Sequence, residues 1–301
     1  MSEATKAHVL KPLWNRYLNH NYEGSFMRFC RFVDRDGIHY GLVENKNGQD
    51  VITARVGGPH LEVSASGMPG AVLLPDPASA QPLPSPIPLE SAMLLIPFPL
   101  VTKIVCLGRN YVEHAKELGN PVPVEPLLFF KPPSSMLPPG GKIVRPKMSS
   151  RVDHEAELAI VIGRTCHKLR PEEDVRDYIL GYTCLNDVTA RDIQKKDGQF
   201  TRGKGFDTFC PVGPVIATGL DTSELQVQAL VNGQVRQDGN TRDFIFSIDY
   251  MMRYICDVMT LVPGDIIATG TPPGVSAMNS GDTVEVIVEG IGALRNPVVN
   301  E

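Results

Sequence analysis

The sequence predicts a mostly β protein of the α+β class, and three observations support this. Most apolar residues occur in short runs bounded by glycine, proline, asparagine or aspartate, which is the pattern of strands. The chain has 27 glycines and 26 prolines among 301 residues, well above the about 12% of an average protein, so turns are frequent. Apolar residues at helical spacing are confined to a few segments, which argues against a helical bundle.

The chain divides into three predicted parts. Residues 1–74 carry alternating runs separated by an Asp-Gly pair at 36–37 and an Asn-Gly pair at 47–48, the signals of tight hairpins. We expect a small N-terminal β domain there. Residues 75–99 hold eight prolines and predict an extended, semi-rigid linker. Residues 100–301 are the predicted catalytic domain.

Strands dominate the third part, and three segments predict helices. The apolar runs that predict strands are KIVCLG, LAIVIG, YTCLND, PVIAT, VQALVNG, DIIATG and TVEVIVEG. Residues 109–119 predict a short helix that ends at a glycine. A second helix is expected from Pro171 onward, with acidic residues in its first turn. Residues 247–261 predict a third, with Ser247 as N-cap.

Bulk properties exclude several classes of function. The net charge is −5 and the sequence pI is about 5.8, and no basic run is present, so nucleic acid and anionic membranes are not expected partners. No apolar stretch approaches the roughly 20 residues of a membrane helix. The first residues lack the apolar core of a signal peptide, so we expect a cytoplasmic protein, with a mitochondrial location disfavoured. The six cysteines are scattered without a CxxC pair and predict free buried thiols.

The stretch DHEAELAIVIG, residues 153–163, joins acidic residues to a buried strand. Asp153, Glu155 and Glu157 occupy alternate positions, and a strand points alternate side chains to one face, with about 6.5–7 Å between them. Unpaired carboxylates at that spacing repel each other and resist burial. A divalent cation with oxygen ligands would remove this repulsion. The other interpretation is a frayed strand start with solvated acids.

Further candidates follow in the third part of the chain. Asp187 comes after the apolar run YTCL and is either a third metal ligand or a helix N-cap. Arg191 suits a bidentate clamp on a carboxylate or an ion pair with a nearby aspartate. Lys204, between two glycines, is either close to a ligand or an exposed loop lysine.

Two more segments carry groups of catalytic type. His114 and Glu117 are three residues apart and share one helical face. A carboxylate beside an imidazole raises its basicity, which suits activation of water, although a surface pair fits the same spacing. Thr271 lies in the turn TGTPPGV, which either binds an anion or is a plain tight turn.

The order of these motifs resembles the fumarylacetoacetate hydrolase (FAH) family over residues 100–290. The resemblance is closest to the branch of FAH-domain-containing proteins: acylpyruvases, oxaloacetate tautomerases and decarboxylases, and bacterial isomerases/decarboxylases. The segments that carry it are LGRNYVEHAKE, EPLLFFKPPSS, DHEAELAIVIG, GYTCLNDVTARD, RGKGFDTFCPVGP, VNGQVRQDGNT and TGTPPGV.

The resemblance implies a mixed β-sandwich roll, a homodimer and a site for Mg²⁺ or Mn²⁺. By their place in the family's motifs, Glu155, Glu157 and Asp187 match the metal ligands. Arg191, Gln194 and Thr271 match substrate-binding groups, and Lys204 matches a catalytic lysine. His114 and Glu117 match a catalytic pair on a lid. Asp153 has no counterpart, so we expect it outside the metal ligands.

The implied activity is on enolisable 2-oxo acids, with hydrolysis of a C–C bond in an acylpyruvate-type substrate first among several reactions. Oxaloacetate tautomerisation or decarboxylation, and a pathway-specific isomerase/decarboxylase reaction, use the same groups and stay open. A non-catalytic binding protein of this family is disfavoured because every catalytic position is filled. Two positions depart from the family's pattern: Ser276 replaces a common glycine, and Gly205 replaces a frequent serine or threonine.

Overall fold

The structure is a computed structural model, and it describes residues 26–58, 60–63, 69–73, 80–99, 101–117, 119 and 121–301. The strands are Met27–Asp34 (β1), Gly37–Lys46 (β2), Gln49–Val56 (β3), His60–Val63 (β4), Pro69–Leu73 (β5), Gln81–Pro88 (β6), Met93–Leu95 (β7), Ile104–Gly108 (β8), Leu127–Lys131 (β9), Met136–Leu137 (β10), Ile143–Arg145 (β11), Val152–Asp153 (β12), Ala156–Ile162 (β13), Ile179–Asn186 (β14), Thr189–Ala190 (β15), Cys210–Thr218 (β16), Gln226–Val231 (β17), Gln234–Asn240 (β18), Ile266–Ala268 (β19), Thr283–Val288 (β20) and Gly292–Asn300 (β21). The α-helices are Val112–Glu117 (α1), Arg191–Asp197 (α2), Thr201–Lys204 (α3) and Ile248–Val258 (α4). The mostly β prediction is confirmed.

Two mixed sheets form the body of the molecule. The larger has twelve strands, in the order β6-β3-β2-β1-β16-β14-β13-β19-β8-β9, with β7 paired to β1 and β10 paired to β16. The smaller has the order β11-β21-β20-β17-β18. Most neighbours are antiparallel, whereas β8 runs parallel to β19, β10 to β16 and β11 to β21.

The main core lies between these sheets. Leu158 and Ile160 of β13 belong to one buried cluster with Val227, Val286 and Leu294 of the smaller sheet. Every residue of β13 is buried, so both of its faces are covered. This explains why the strand reads in sequence as a continuous apolar run rather than an alternating one.

The N-terminal strands extend the larger sheet. β1 pairs with β16 through Phe29 opposite Ile216. Both predicted hairpins are present, and Asn47 and Gly48 have φ of 54° and 83°, as a type I′ turn requires.

Part of the proline-rich segment pairs with strands of the larger sheet. Its residues 81–88 form β6, the edge strand hydrogen-bonded to β3, and β7 pairs with β1. Proline lacks an N–H donor and is tolerated at a sheet edge, where one side of the strand needs no partner. Leu89 and Leu94 join the main core. The domain boundaries at 74 and 99 stay predictions, and residues 1–25 and 74–79 lie outside the described residues.

Two of the three expected helices are found. Ser247 caps α4 by accepting a hydrogen bond from the N–H of Tyr250, and α1 lies inside the predicted segment. The segment after Pro171 forms only a 3₁₀ turn, Val175–Tyr178, before β14 begins. Its apolar residues enter the sheet between β13 and β16, and this pairing overrides the local helical signal. No described helix is long and apolar enough to cross a membrane. All six cysteines are buried and free.

Candidate active site

Two neighbouring strands bring three predicted ligand carboxylates together. Glu157 lies in β13, Glu155 directly precedes that strand, and Asp187 directly follows β14. Because Ala156 is opposite Asn186, Glu155 and Asp187 face each other across the two strands. Each acid offers an oxygen within 4.8 Å of the other two, and none is more than 4% exposed.

Buried lysines neutralise part of this acidic group. The Lys204 ammonium donates to Glu155 at 2.8 Å, to Asp187 at 2.5 Å and to the Thr189 hydroxyl at 2.9 Å. Burial alone would lower the pKa of Lys204, but the charges of Asp187 and Glu155 raise it above its ordinary value. Lys204 is therefore a buried cation among the carboxylates and not an exposed loop lysine.

Lys131 is a second buried cation, and the sequence did not single it out. It is 1% exposed and donates to the other oxygen of Asp187 at 2.7 Å. Its remaining hydrogens go to the carbonyl oxygens of Val188 and Lys204. Lys131 thus holds the Asp187 oxygen that Lys204 does not contact.

The two glutamates differ in charge compensation. Burial would raise the pKa of Glu155, but the positive charges of Lys204 and Arg191 hold it well below its ordinary value. For Glu157, burial and the charges of Asp187 and Glu155 raise the pKa well above its ordinary value. Among the described residues, Glu157 is the one acid of the group that no ion pair reaches.

This arrangement fits a hard divalent cation. All three donors are carboxylate oxygens, the ligand type that Mg²⁺ and Mn²⁺ prefer. The uncompensated carboxylate of Glu157 supplies the negative charge that a cation would balance. Asp187 does not cap a helix, because α2 begins four residues later, at Arg191, with Ala190 as its N-cap.

Asp153 holds an arginine and lies outside the group of three acids. It is fully buried and accepts from Arg191 at 2.9 Å and from Arg151 at 2.8 and 3.1 Å. Asp153 belongs to the separate strand β12, so the alternating pattern breaks before Glu155. Arg191 also donates to Glu155 at 2.5 Å and to the Gln194 side-chain oxygen at 2.8 Å, which leaves the Gln194 amide nitrogen available.

The predicted pair on α1 is formed. Nδ1 of His114 lies 3.3 Å from Glu117, which also accepts from the N–H of Gly274 at 3.1 and 3.2 Å. Because a carboxylate only accepts, Nδ1 carries the proton and Nε2 is the free base. Burial lowers the pKa of His114, against the opposing charges of Glu155 and Glu117. The imidazole is therefore neutral near pH 7, and Glu117 ties α1 to the loop after β19.

A buried glutamine orders that loop. Gln237 is fully buried and donates to the Thr271 hydroxyl at 2.8 Å and to the Pro272 carbonyl at 2.7 Å. Its side-chain oxygen lies 2.9 Å from Nδ1 of His154, whose Nε2 lies 2.8 Å from the Ser276 hydroxyl. Ser276, one of the two departures, thus completes a network that shapes the loop. The Thr271 hydroxyl is itself engaged with protein groups.

The second departure, Gly205, is explained by close packing. A Cβ at this position would lie 2.5 Å from the Thr201 carbonyl oxygen and 3.3 Å from the Pro132 ring. A serine or threonine there requires a shift of α3, which carries Lys204.

All nine predicted site residues line one cavity of about 530 Å³. They are His114, Glu117, Glu155, Glu157, Asp187, Arg191, Gln194, Lys204 and Thr271. Its apolar wall consists of Leu107, Phe129, Phe200 and Val275. Three lining cations, Arg109, Arg151 and Lys195, were not predicted, and a single basic residue without a spacing pattern offers no signal in a sequence.

Comparison with known families agrees with this geometry. Residues 103–299 match the family model described as fumarylacetoacetate (FAA) hydrolase, C-terminal. The chain belongs to the fumarylacetoacetate hydrolase family. Residues 27–97 match a second family model, described as Rv2993c-like, N-terminal. The two matches fall on the N-terminal strands and on the part of this FAH family chain that contains the cavity.

Three relatives illustrate the range of the FAH family. A mitochondrial oxaloacetate tautomerase of Xenopus laevis is 43% identical over 68% of this chain and 68% of its own. The crystal structure of a 5-carboxymethyl-2-hydroxymuconate delta-isomerase from Mycobacterium smegmatis is 40% identical, with a TM-score of 0.76 over 91% of this chain and all of that one. A fumarylpyruvate hydrolase from Pseudomonas aeruginosa, in complex with Mn²⁺ and pyruvate, is 29% identical, with a TM-score of 0.63 over 68% of this chain and 91% of that one. They support the predicted FAH-domain-containing branch and the mixed β fold, and they are enzymes of three reaction types.

Proposed function

We propose that this FAH family protein is a divalent-metal-dependent enzyme acting on enolisable 2-oxo acids. The first candidate reaction is hydrolysis of a C–C bond in an acylpyruvate-type substrate. The observation that carries it is a neutral imidazole, His114, whose free Nε2 shares one cavity with three clustered carboxylates.

The carboxylates of Glu155, Glu157 and Asp187 would hold Mg²⁺ or Mn²⁺. Such a cation, when bound, supplies a Lewis acid that polarises the substrate's oxygens and stabilises the charge of an enolate. The Mn²⁺ and pyruvate bound to the related hydrolase support this choice of cation and substrate class. Lys204 and Arg191 keep Glu155 ionised and add fixed positive charge beside an anionic substrate.

The remaining polar groups bind and orient the substrate. The free amide nitrogen of Gln194 donates to a substrate carboxylate, and Arg191 holds that amide in place. Thr271 shapes the loop beside the acids through its bonds to Ala156 and Gln237. We assign these roles because the Thr271 hydroxyl is hydrogen-bonded to protein groups, whereas the Gln194 amide nitrogen has no hydrogen bond among the described residues.

In hydrolysis, Nε2 of His114 takes a proton from a water molecule that attacks the distal carbonyl carbon. The bond from that carbon to C3 breaks, and its electron pair remains on the C3 side as an enolate. The protonated imidazole returns the proton to C3, so the products are a carboxylate and a 2-oxo acid. Glu117 stabilises the transient imidazolium and keeps the ring in the required tautomer.

Oxaloacetate tautomerisation is the second candidate, because a tautomerase of oxaloacetate is 43% identical to this chain. In that reaction His114 moves a proton at C3 and no water attacks. Decarboxylation of oxaloacetate and a pathway-specific isomerase reaction would use the same cavity residues. A purely binding function leaves the free base of His114 without a role.

A panel of substrates separates these reactions. Purified protein is assayed with acetylpyruvate, fumarylpyruvate and oxaloacetate, following hydrolysis, keto–enol exchange and CO₂ release, each with Mg²⁺ and with EDTA. We expect hydrolysis of an acylpyruvate that EDTA abolishes. Turnover of oxaloacetate alone would select the second candidate, and equal rates with EDTA would contradict the metal requirement.

The assembly and location follow as separate proposals. We propose a homodimer with small-molecule substrates, in the cytoplasm, without nucleic-acid or membrane partners. In support, edge strand β9 exposes 38% of Leu127 and 46% of Phe130, an edge that soluble proteins usually cover. Light scattering should give about twice the chain mass of 32.9 kDa, and a monomeric mass would contradict the proposal.

A further inference from the structure

The buried side chain of Asn110 joins the segment before α1 to two distant parts of the chain. Asn110 lies between β8 and α1, four residues before His114. It is fully buried; its amide nitrogen donates to the Thr269 carbonyl at 2.8 Å, and its side-chain oxygen accepts from the N–H of Phe246 at 2.8 Å. Both partners are far from Asn110 in sequence, so the side chain makes a tertiary connection that no local hydrogen bond makes.

The first partner segment, the loop after β19, is held in place without Asn110. Thr269 donates to the Leu158 carbonyl of β13 through its N–H at 3.2 Å and through its hydroxyl at 2.8 Å. The Thr271 hydroxyl donates to the Ala156 carbonyl of the same strand at 2.8 Å. Because every residue of β13 is buried, this loop is a rigid point of attachment.

The second partner segment, the start of α4, is also held in place. Phe246 directly precedes Ser247, the N-cap of α4. Met251 and Ile255 of this helix are fully buried in the main core. The Asn110 side chain therefore connects the segment before α1 to two rigid parts of the molecule.

Helix α1, which carries His114, is too short to hold its own position. It has six residues, and helices shorter than about 12–15 residues are marginal without tertiary contacts. Its last residue, Glu117, is attached to the N–H of Gly274 through an exposed hydrogen bond. Asn110 is the buried attachment at the other end. A displacement of about 1 Å at a catalytic group can cost about 10²-fold in rate, so this attachment matters for His114.

We propose that Asn110 is a positioning residue that holds His114 in place for the proposed reaction. It acts through α1 and is not among the residues that line the cavity. This inference rests on the proposed function, in which His114 is the base. Loss of the Asn110 side chain displaces His114 but leaves the acid cluster intact, because the loop beside that cluster stays attached to β13.

Kinetics of Asn110→Ala test this role against a matched control. The control is Asn296→Ala, a buried asparagine outside the cavity lining that donates to the carbonyls of Pro138 and Gly141. With acetylpyruvate, we expect Asn110→Ala to lower kcat by about tenfold to 10²-fold while KM changes less than about twofold. The control should keep the wild-type kcat and KM. The Kd of Mn²⁺, measured by calorimetry, should equal that of the wild type in both variants.

A double variant shows whether Asn110 acts through His114. In the His114→Ala protein, the further change Asn110→Ala should lower the residual hydrolysis by less than about twofold, because the group that it positions is already absent. A loss as large as in the wild-type background would overturn the positioning role. A kcat of Asn110→Ala as high as that of Asn296→Ala would do the same. Asn110→Ser keeps a hydroxyl in the buried site and should show the same pattern if the alanine variant folds poorly.

Hydrogen exchange followed by mass spectrometry tests the attachment of α1 without turnover. Asn110→Ala should speed exchange in peptides that cover α1, where the N–H of Ala115 donates to the Tyr111 carbonyl, and Asn296→Ala should not. Peptides of the loop after β19 should exchange as slowly as in the wild type. Unchanged exchange in α1 would overturn the proposal. A wild type that hydrolyses no acetylpyruvate would contradict the proposed function, and the exchange rates would still show whether Asn110 holds α1.

Discussion

The backbone N–H of Gly270 donates to the carboxylate of Glu157 at 2.8 Å, and no other described group donates to that carboxylate. Its neighbours Glu155 and Asp187 each contact Lys204. Glu157 therefore combines full burial with the least compensated charge of the cluster. A bound cation would supply the positive charge that no described side chain places in an ion pair with Glu157.

This relationship predicts how pH affects the metal-free protein. The folded-state pKa of Glu157 is raised above its ordinary 4.5, so its contribution to stability is present below that value and lost as pH rises through the folded-state pKa. With EDTA, the free energy of unfolding of the wild type should fall as pH rises above about 5, and that of Glu157→Gln should fall less. Adding Mn²⁺ should restore the free energy of unfolding of the wild type but not that of Glu157→Gln.

Chemical denaturation followed by circular dichroism measures this effect. The control is Glu224→Gln, an exposed acid whose replacement should leave the pH dependence as in the wild type. A Glu157→Gln protein with the same pH slope as the wild type would contradict the assigned charge imbalance.

The His114–Glu117 pair predicts the acid limb of the pH–rate profile. Activity requires the neutral imidazole, and burial lowers the pKa of His114, so kcat/KM should decline only below the ordinary histidine value of 6.5. Glu117 raises that pKa. Glu117→Gln should therefore shift the limb to lower pH and reduce kcat by about 10²-fold or more, since the ring loses its oriented tautomer. A limb that moves to higher pH would contradict the assigned contact.

Gln237 is predicted to position Thr271 without touching the substrate. Gln237→Leu removes bonds to Thr271, Pro272 and the Ala156 N–H, and we expect a loss of about 1–3 kcal/mol in unfolding free energy because buried partners stay unpaired. KM should rise more than kcat falls. The exposed Gln234→Leu is the matched control, and kinetics unchanged in Gln237→Leu would exclude the positioning role.

Lys131 is predicted to stabilise the acid cluster. Lys131→Met leaves the buried Asp187 without one of its two lysines, which should cost about 3–5 kcal/mol of unfolding free energy. The exposed Lys142→Met should change it by less than about 0.5 kcal/mol. Thermal unfolding with and without Mn²⁺ checks both, and a Lys131→Met protein as stable as the Lys142→Met control would show that this contact is not needed.

The sequence identified many of the strands because they follow from local patterns. The continuous apolar run 158–162 predicts a buried strand, and Ser247 predicts the start of α4. The resemblance joined Glu155 and Glu157 to Asp187, thirty residues away, which periodicity alone does not do.

Other features depend on contacts that no local pattern encodes. Lys131 lies at the end of β9, and only the tertiary fold, which brings it to Asp187 after β14, reveals its partner. The segment after Pro171 has helical end signals, yet pairing with two strands makes it β14. The prolines of residues 81–88 correctly predict an extended backbone. They do not predict that this segment pairs with β3.

We propose above all that Glu155, Glu157 and Asp187 jointly hold a divalent cation. Anomalous diffraction at the manganese edge, from crystals of the EDTA-treated protein soaked in Mn²⁺, tests it most directly. We expect one strong peak within about 2.0–2.6 Å of an oxygen of each acid, and its loss in Glu157→Gln crystals. No peak among these three carboxylates, or an equal peak in the variant, would contradict it.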